Sequence, residues 1–540
     1  MSSTNARMHP LLAALLWIPW GILLALALCA VVWFVYAVSQ RLLYPHELEW
    51  MEGALADHAS RVADGLPLYC EPTAEHVPFL YSPLLFWLGA LGMKLGIDGI
   101  VALRLVAVGF SVSSAMLIGH WVRVESRQLV PGLVATGMFL AGYGWLAWWF
   151  DLARNDSLFV FLSLSTAYQL RHGGERRWLW AGLLAAVALL AKQSALMWLP
   201  AVGVGCLCWN WRVAVKFGVT SAVAMAASVG ALHLVSDGWS TFYLFEMPSH
   251  HGIVGDRKLG FWTEDLVPIV PLLVLSLLGF VGYVRFRPRE ALFFASVGAG
   301  SLVTSYLSRM HVGGFDNVMM YVFAGACLLG ASANGGLARH RVDVLWLRVL
   351  APLLLLGQFG WLGYEAWHRG TSTLLPSDAH RKAHDELRTL VERQDGPVWI
   401  PAHGHIAYRA GKGTGAHGQA IFDVMQLLPK LPNGMFDLAA LTDDAKLAHL
   451  PERGRLALHA VMTNTTEALA ERHFAALVID EIGAGVFPVL FAAGLVGPDG
   501  RFGTADDPYV RRPGPAIANP TAIKPLLGFD VHTPYLMQRK

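Results

Sequence analysis

Charge is scarce in this chain. Only 15% of its 540 residues are Asp, Glu, Lys or Arg, where a soluble globular protein carries about 25%. That deficit argues against an ordinary soluble enzyme. An excess of either sign of charge is missing too: the formal net charge of +2 excludes the strongly basic footprint of a nucleic-acid binder. Cysteine is sparse, and the five that exist (Cys29, Cys70, Cys206, Cys208, Cys327) form no CxxC pair. Four of them lie in apolar segments and none follows Cys327, so neither a disulfide framework nor a structural zinc site is expected. There is no internal repeat and no low-complexity tract. No Walker-type or GxGxxG fingerprint occurs in the basic connecting loops, which leaves nucleotide use there without support.

What the chain has in abundance is long apolar runs, in keeping with 55% hydrophobic residues and a mean hydropathy of +0.45. A membrane crossing takes roughly 17–25 apolar residues. Runs at 11–38, 101–121, 128–148, 155–170, 177–191, 194–209, 213–235, 264–284, 290–307, 317–336 and 344–367 predict a polytopic α-helical membrane protein with about eleven crossings. The segment 81–95 is also apolar, but it is short and holds Pro83 near its start, and it reads as an interfacial helix lying on the membrane. Alternate connections carry Arg7, Arg123 and Arg127, Arg171, Arg176 and Arg177, Arg212 and Lys216, Arg285, Arg287 and Arg289, and Arg339 and Arg341. The positive-inside rule places these in the cytoplasm. The opposite loops and everything after residue 370 then face the exterior. The division expected is a transmembrane body over 1–369 and a soluble, periplasmic α/β domain over 370–540. The last 170 residues hold 35 of the charged residues against 45 in the first 370. In the tail, 397–401 and 475–480 read as buried strands and 436–473 as helical. Asp499, Asp506 and Asp507 read as a solvated turn rather than a calcium loop.

The chemistry-bearing residues gather on the exterior loops. YPHELEWMEGALADHASRVADGLPLY puts Glu47, Glu49 and Glu52 where the chain leaves the first crossing. Glu49 and Glu52, three apart, would share a face if helical. A carboxylate partly desolvated at a membrane surface is a natural general base. DLARNDSLF adds Asp151, Arg154 and Asp156 at the start of another crossing, and Lys192 sits at the tip of LLAKQSALMWLP. A lysine so close to lipid either snorkels or meets an anion such as phosphate. FYLFEMPSHHGIVGDRKLG contributes His250, His251, Arg257 and Lys258. SRMHVGGFDN contributes His311, Asp316 and Asn317.

These motifs, in this order over residues 11–367, resemble the GT-C superfamily of integral-membrane glycosyltransferases. Within it, the chain looks like the broad group related to protein O-mannosyltransferases and the lipid A aminoarabinose transferase (glycosyltransferase family 39-like). EGALADHASRVADGLPLY is similar to the family's acidic first loop, FLYSPLLFWLGALGMKLG to its juxtamembrane helix, ARNDSLFVFLSL to its Arg-x-Asp turn and LLAKQSALMWLP to its lysine hairpin. The resemblance implies an inverting hexosyl- or pentosyltransferase in the cell's inner (plasma) membrane. Its donor would be a polyprenyl-phosphate-linked sugar and its acceptor a hydroxyl of a glycan, lipid or protein. It implies Glu52, then Glu49, with Asp156 as catalytic carboxylates, and Lys192 with Arg257 on the donor phosphate. Tyr81, Arg154, His250, His251, His311, Asp316 and Asn317 are the candidates for substrate contacts. The family's acidic pair is replaced here by Met51–Glu52 or His46–Glu47. Metal-linked members carry an acid just before the juxtamembrane proline, where this chain has Tyr81-Ser82-Pro83. A divalent metal is therefore compatible but not required, and no ligands are assigned. The competing class is a transporter or flippase of a lipid-linked or small polar substrate. Charges at the helix ends and the absence of a repeat favour the enzyme over it.

Overall fold

The computed structural model describes residues 10–339, 345–370, 374–432 and 436–480, with short stretches between 508 and 539. The turn at 497–507 lies outside them.

Each of the eleven apolar runs forms a helix. They are α1 (Pro10–Arg41), α4 (Gly99–Ser126), α5 (Leu129–Ala141), α6 (Asp156–His172), α7 (Arg177–Ala191), α8 (Ala195–Trp209), α9 (Trp211–Val235), α10 (Val270–Phe286), α11 (Pro288–Met310), α12 (Met319–Arg339) and α13 (Leu345–Arg369). By length and composition, five helical stretches suffice to cross a membrane: Trp17–Arg41, Gly99–Ser126, Trp211–Val235, Arg257–Arg285 and Pro288–Met310. Of the remaining apolar helices, α5, α7 and α8 are shorter, at 13, 15 and 15 residues. Between α1 and α4 stand α2 (Glu52–Ala63) and α3 (Leu84–Lys94). The 11 residues of α3 span about 16 Å at 1.5 Å each, far short of the hydrocarbon core.

Local sequence sets the helix ends. Asp98 caps α4 by accepting from the backbone N–H groups of Ile100 and Val101, and the helix stops at Arg127, which turns left-handed at φ 57°. α4 and α5 meet through Gly119 and Gly132, each lying against the other's carbonyl, the close approach that small residues permit between membrane helices. α4 also packs on α6 and α12, and α8 on α11.

Beyond α13 the tail is α/β, as its sequence suggested. β1 (Val398–Trp399), β2 (Ala476–Asp480), β3 (Tyr509–Arg511) and β4 (Pro534–Arg539) form a sheet of order β1-β2-β4-β3, with β1 parallel to β2 and the other pairs antiparallel. The predicted helical stretch is largely α16 (Glu452–Ala470), preceded by α14 (Asp378–Glu392) and α15 (Gly418–Met425). Alternate residues of β2 serve two cores. Ala476 and Val478 pack with Leu387 and Val391 of α14, whereas Leu477 and Ile479 belong to a cluster continuous with the transmembrane helices. The tail is thus built onto the body by the two-residue period of its central strand.

Candidate active site

The acidic loop folds around its own carboxylates. Glu52 is the first residue of α2 and is fully buried. Its Oε2 accepts from the backbone N–H of Leu48 (2.7 Å) and of Glu49 (3.4 Å), and its Oε1 from the N–H of Ala153 (2.8 Å). Arg104 of α4 completes the set, donating through Nε at 2.9 Å and Nη2 at 2.5 Å. Burial alone would raise the Glu52 carboxyl, but the Arg104 guanidinium and the backbone donors hold it below its ordinary value. A carboxylate filled by five donors has no lone pair left for an acceptor's proton. In this arrangement Glu52, expected as the base, ties the loop to α4.

Glu49 is different. It lies before α2 begins, just ahead of the turn at 50–51, so the shared helix face expected for Glu49 and Glu52 does not form. Its Oε2 receives only a 3.3 Å contact from the N–H of Met51 and a 3.4 Å contact from Arg154 Nη1. Burial pushes its carboxyl up to about 7 against the pull of Arg154, with Glu52 adding repulsion. Arg154 is itself held by the Tyr81 hydroxyl (2.9 Å) and stacked over the rings of Tyr81 and Trp149. Glu47, also raised to about 7 by burial, accepts from the N–H groups of Gly53 and Gly404 at 3.1 Å and meets His403 Nδ1 at 3.2 Å.

Both charge clusters hang on the short segment 151–156. Asp151 takes a bidentate pair from Arg41 at 2.7 and 3.1 Å. Ala147 and Trp148 just before it have left-handed φ of 49° and 63°, an unfavourable conformation for side-chain-bearing residues. The Trp148 carbonyl so presented accepts from Arg41. Ala153 serves Glu52, Arg154 serves Glu49, and Asn155 donates to the carbonyl of Ala191.

Asp156 then turns to a second cluster. Its Oδ1 accepts from Lys192 Nζ at 2.5 Å and the Tyr321 hydroxyl at 2.6 Å, and its Oδ2 from Asn317 Nδ2 at 3.0 Å. Three donors thus converge on Asp156, which the sequence offered as a catalytic carboxylate. Lys192 keeps 13% of its side chain exposed and lies against the Tyr321 ring. Of the three donors of an ammonium, Asp156 takes one.

The remaining predicted residues fall elsewhere. Arg257 is no free cation: its Nη1 donates to the carbonyls of Arg309, His311 and Gly314 at 3.2, 3.4 and 2.6 Å, so it braces that loop. Asp316 pairs with Arg369 at 3.1 Å and Arg309 at 3.6 Å. It borders a cavity of ≈ 220 Å³ lined also by Trp145, Glu264, Asp265, Glu365 and Arg369. His251 stacks on His311 and approaches Asp423 of the tail at 3.9 Å. His250 is half-buried. Among the described residues no group of three or more His, Cys, Asp or Glu is placed to hold a metal ion. Residues not foreseen are Arg41, Arg104, Tyr321 and the tail's His403 and Asp423. A lone arginine in the apolar run GIVALRLVAV was a readable sign, because a buried guanidinium requires a partner.

No protein-family profile and no curated protein sequence matches the chain. Among solved structures it is similar to ArnT from Cupriavidus metallidurans bound to undecaprenyl phosphate, with 12% identity and a TM-score of 0.53 over 85% of this chain and 93% of that one. The apo state of the same ArnT gives 13% identity and a TM-score of 0.52 over 86% and 93%. The chain therefore shares its overall fold with that ArnT over most of both chains.

Proposed function

We propose that this chain is an inverting glycosyltransferase that moves a sugar from a polyprenyl-phosphate donor to a hydroxyl acceptor at the outer face of the membrane. The observation that carries the reading is one six-residue segment linking a nearly dry carboxylate raised to about 7, Glu49, to a lysine with donors to spare. It does so in a fold shared with a protein crystallised on undecaprenyl phosphate.

Glu49 takes the acceptor's proton as the hydroxyl oxygen attacks the anomeric carbon from the face opposite the phosphate. The anomeric C–O bond to phosphate breaks, its electron pair leaves with the polyprenyl phosphate, and configuration inverts. Lys192, aimed by Asp156, meets the growing charge on the phosphate oxygens, and this interaction counts most in the transition state. Arg154 stays charged beside Glu49 and pulls its carboxyl down against burial, so that the base gains and loses its proton near pH 7. Glu52, Arg104, Tyr321 and Asn317 position these groups. The ionic groups of this network cluster at the acidic-loop end of the helices and not at mid-span, which weighs against a transport pathway.

The test is glycolipid mass spectrometry of cells with and without the gene. Loss of the gene should let a polyprenyl-phosphate sugar accumulate while one sugar disappears from an envelope glycan, lipid or protein. An unchanged glycolipid and glycan profile would remove the proposal.

A further inference from the structure

Three residues just upstream of the base, Pro45 to Glu47, are each held by the tail. The Pro45 carbonyl accepts from Arg409 Nη1 at 2.6 Å. His46 Nε2 lies 3.1 Å from Asp385 Oδ1, with its ring stacked on His384. Glu47 meets His403 Nδ1 at 3.2 Å and the N–H of Gly404 at 3.1 Å. One turn into α2, Asp57 accepts from the backbone N–H of His405 (2.8 Å) and meets its Nδ1 (3.0 Å). Gly53 and Gly404 touch backbone to backbone, so that a Cβ on either would fall on the other's main chain. Leu48 and Glu49 follow at once, with their N–H groups on Glu52.

We propose that the tail is a positioning element of the membrane site, in which His403 and Gly404 hold Glu47 and the start of α2 so that Glu49 is presented at the acceptor. The proposal rests on the glycosyltransferase reading above for its catalytic consequence, but its structural half stands alone. The loop 45–51 contains no helix or strand of its own length, and a pause of about 1 Å in a catalytic group's placement can lower a rate 10²-fold. Body-side bonds hold the loop from Leu48 onward through Glu52 and also reach the His46 carbonyl, from Arg104 Nη2 at 2.8 Å, and Glu47 Oε1, from the Gly53 N–H at 3.1 Å; the tail adds the contacts to the Pro45 carbonyl, the His46 ring and the Glu47 carboxylate. The contacts described for His403 and Gly404 fall on Glu47 and the start of α2, so both act through the loop.

The test uses the full chain in detergent with three variants. His403→Leu removes the donor to Glu47, His403→Asn keeps a donor at the position of Nδ1, and Gly404→Ala drives a methyl into the Ala54 backbone. Two readouts are taken on protein that elutes as a single folded species: turnover with a polyprenyl-phosphate sugar, and amide exchange of peptides over 46–52 by mass spectrometry. His403→Leu should lower kcat by about tenfold or more with donor KM within about twofold, because the donor contacts lie on Lys192. It should speed exchange over 46–52, and His403→Asn should restore both. Gly404→Ala should follow His403→Leu; if it does not fold, the His403 pair decides. Faster exchange with wild-type kcat overturns the positioning role, and unchanged exchange overturns the grip itself. If the wild-type chain transfers no sugar, the functional proposal falls while exchange still decides whether the tail holds the loop.

Discussion

Glu49→Gln and Glu52→Gln are nearly isosteric changes three residues apart, and the structure assigns them opposite consequences. The Glu49 carboxyl is raised from 4.5 to about 7 by burial. A raised acid means that the folded chain holds a proton that the unfolded chain releases. This group's contribution is therefore most favourable below pH 4.5 and declines as pH climbs to 7. Above that it opposes folding by about 3 kcal/mol, at 1.36 kcal/mol per pH unit. Glu49→Gln removes that penalty, so at pH 8 the variant should melt at the same temperature as wild type or higher. Its turnover should fall by roughly 10²–10⁴-fold, the scale of a lost general base. Wild-type kcat/KM should rise with pH through about 7 as Glu49 deprotonates, and the variant should lose that limb. Glu52→Gln does the reverse to stability. Either rotamer of the amide sets its NH₂ against donors that now converge on the carboxylate, and Arg104 is left buried without its counter-charge. Breaking such a pair costs about 3–5 kcal/mol, read as a lower melting temperature in detergent. Any turnover that survives should keep the pH limb. Because Glu47 is also raised to about 7, Glu47→Gln is the control and should retain the limb as well. Polyprenyl phosphate release supplies the rate and fluorescence-detected size exclusion after heating supplies the stability. A Glu49→Gln chain with wild-type turnover, or with an intact pH limb, would refute the assignment.

Lys192→Met should be nearly inactive with a raised donor KM, and Lys192→Arg should retain part of both; full activity in the Met variant would end the phosphate role. Arg257→Gln should leave donor KM unchanged and lower the melting temperature, since its three carbonyl contacts brace the loop at 309–314; a KM effect without a stability effect would restore it to the donor site. A reporter active only in the cytoplasm, fused after Lys540, should be silent if eleven crossings start from a cytoplasmic N-terminus, and a bright signal would overturn that topology.

The helices were legible because twenty apolar residues leave the backbone few alternatives to internal hydrogen bonding. The tail strands were legible for a related reason, as short apolar runs bounded by Pro397 and Pro401 or ending at Asp480. The acidic loop was legible as a site but not in its internal roles. Glu47, Glu49 and Glu52 differ in their partners rather than in their type. Arg104 lies 52 residues from Glu52 and His403 lies 356 from Glu47, and no local pattern encodes such meetings. The surroundings of Arg257 were hidden for the same reason: a cation in a loop looks free until the carbonyls around it are known.

Segment 151–156 shows why the charges are tolerated at all. Asp151, Arg154 and Asp156 are almost wholly buried, and an isolated buried charge is strongly unfavourable. Each here meets an opposite charge from another element: Arg41 of α1, Glu49 of the first loop, and Lys192 at the end of α7. The links differ in tightness along the chain. Asp151 and Asp156 have partners at 2.5–2.7 Å, whereas Arg154 and Glu49 stand 3.4 Å apart. The tight ends hold the backbone of the segment, and the loose pair between them is the one that can change its protonation without dismantling the rest. A base needs that freedom, because it must accept a proton in each turnover and release it again. Glu52, locked to Arg104 at 2.5 Å, lacks it. The looseness of the Glu49 contact is thus a stronger sign of function than the tightness of its neighbours.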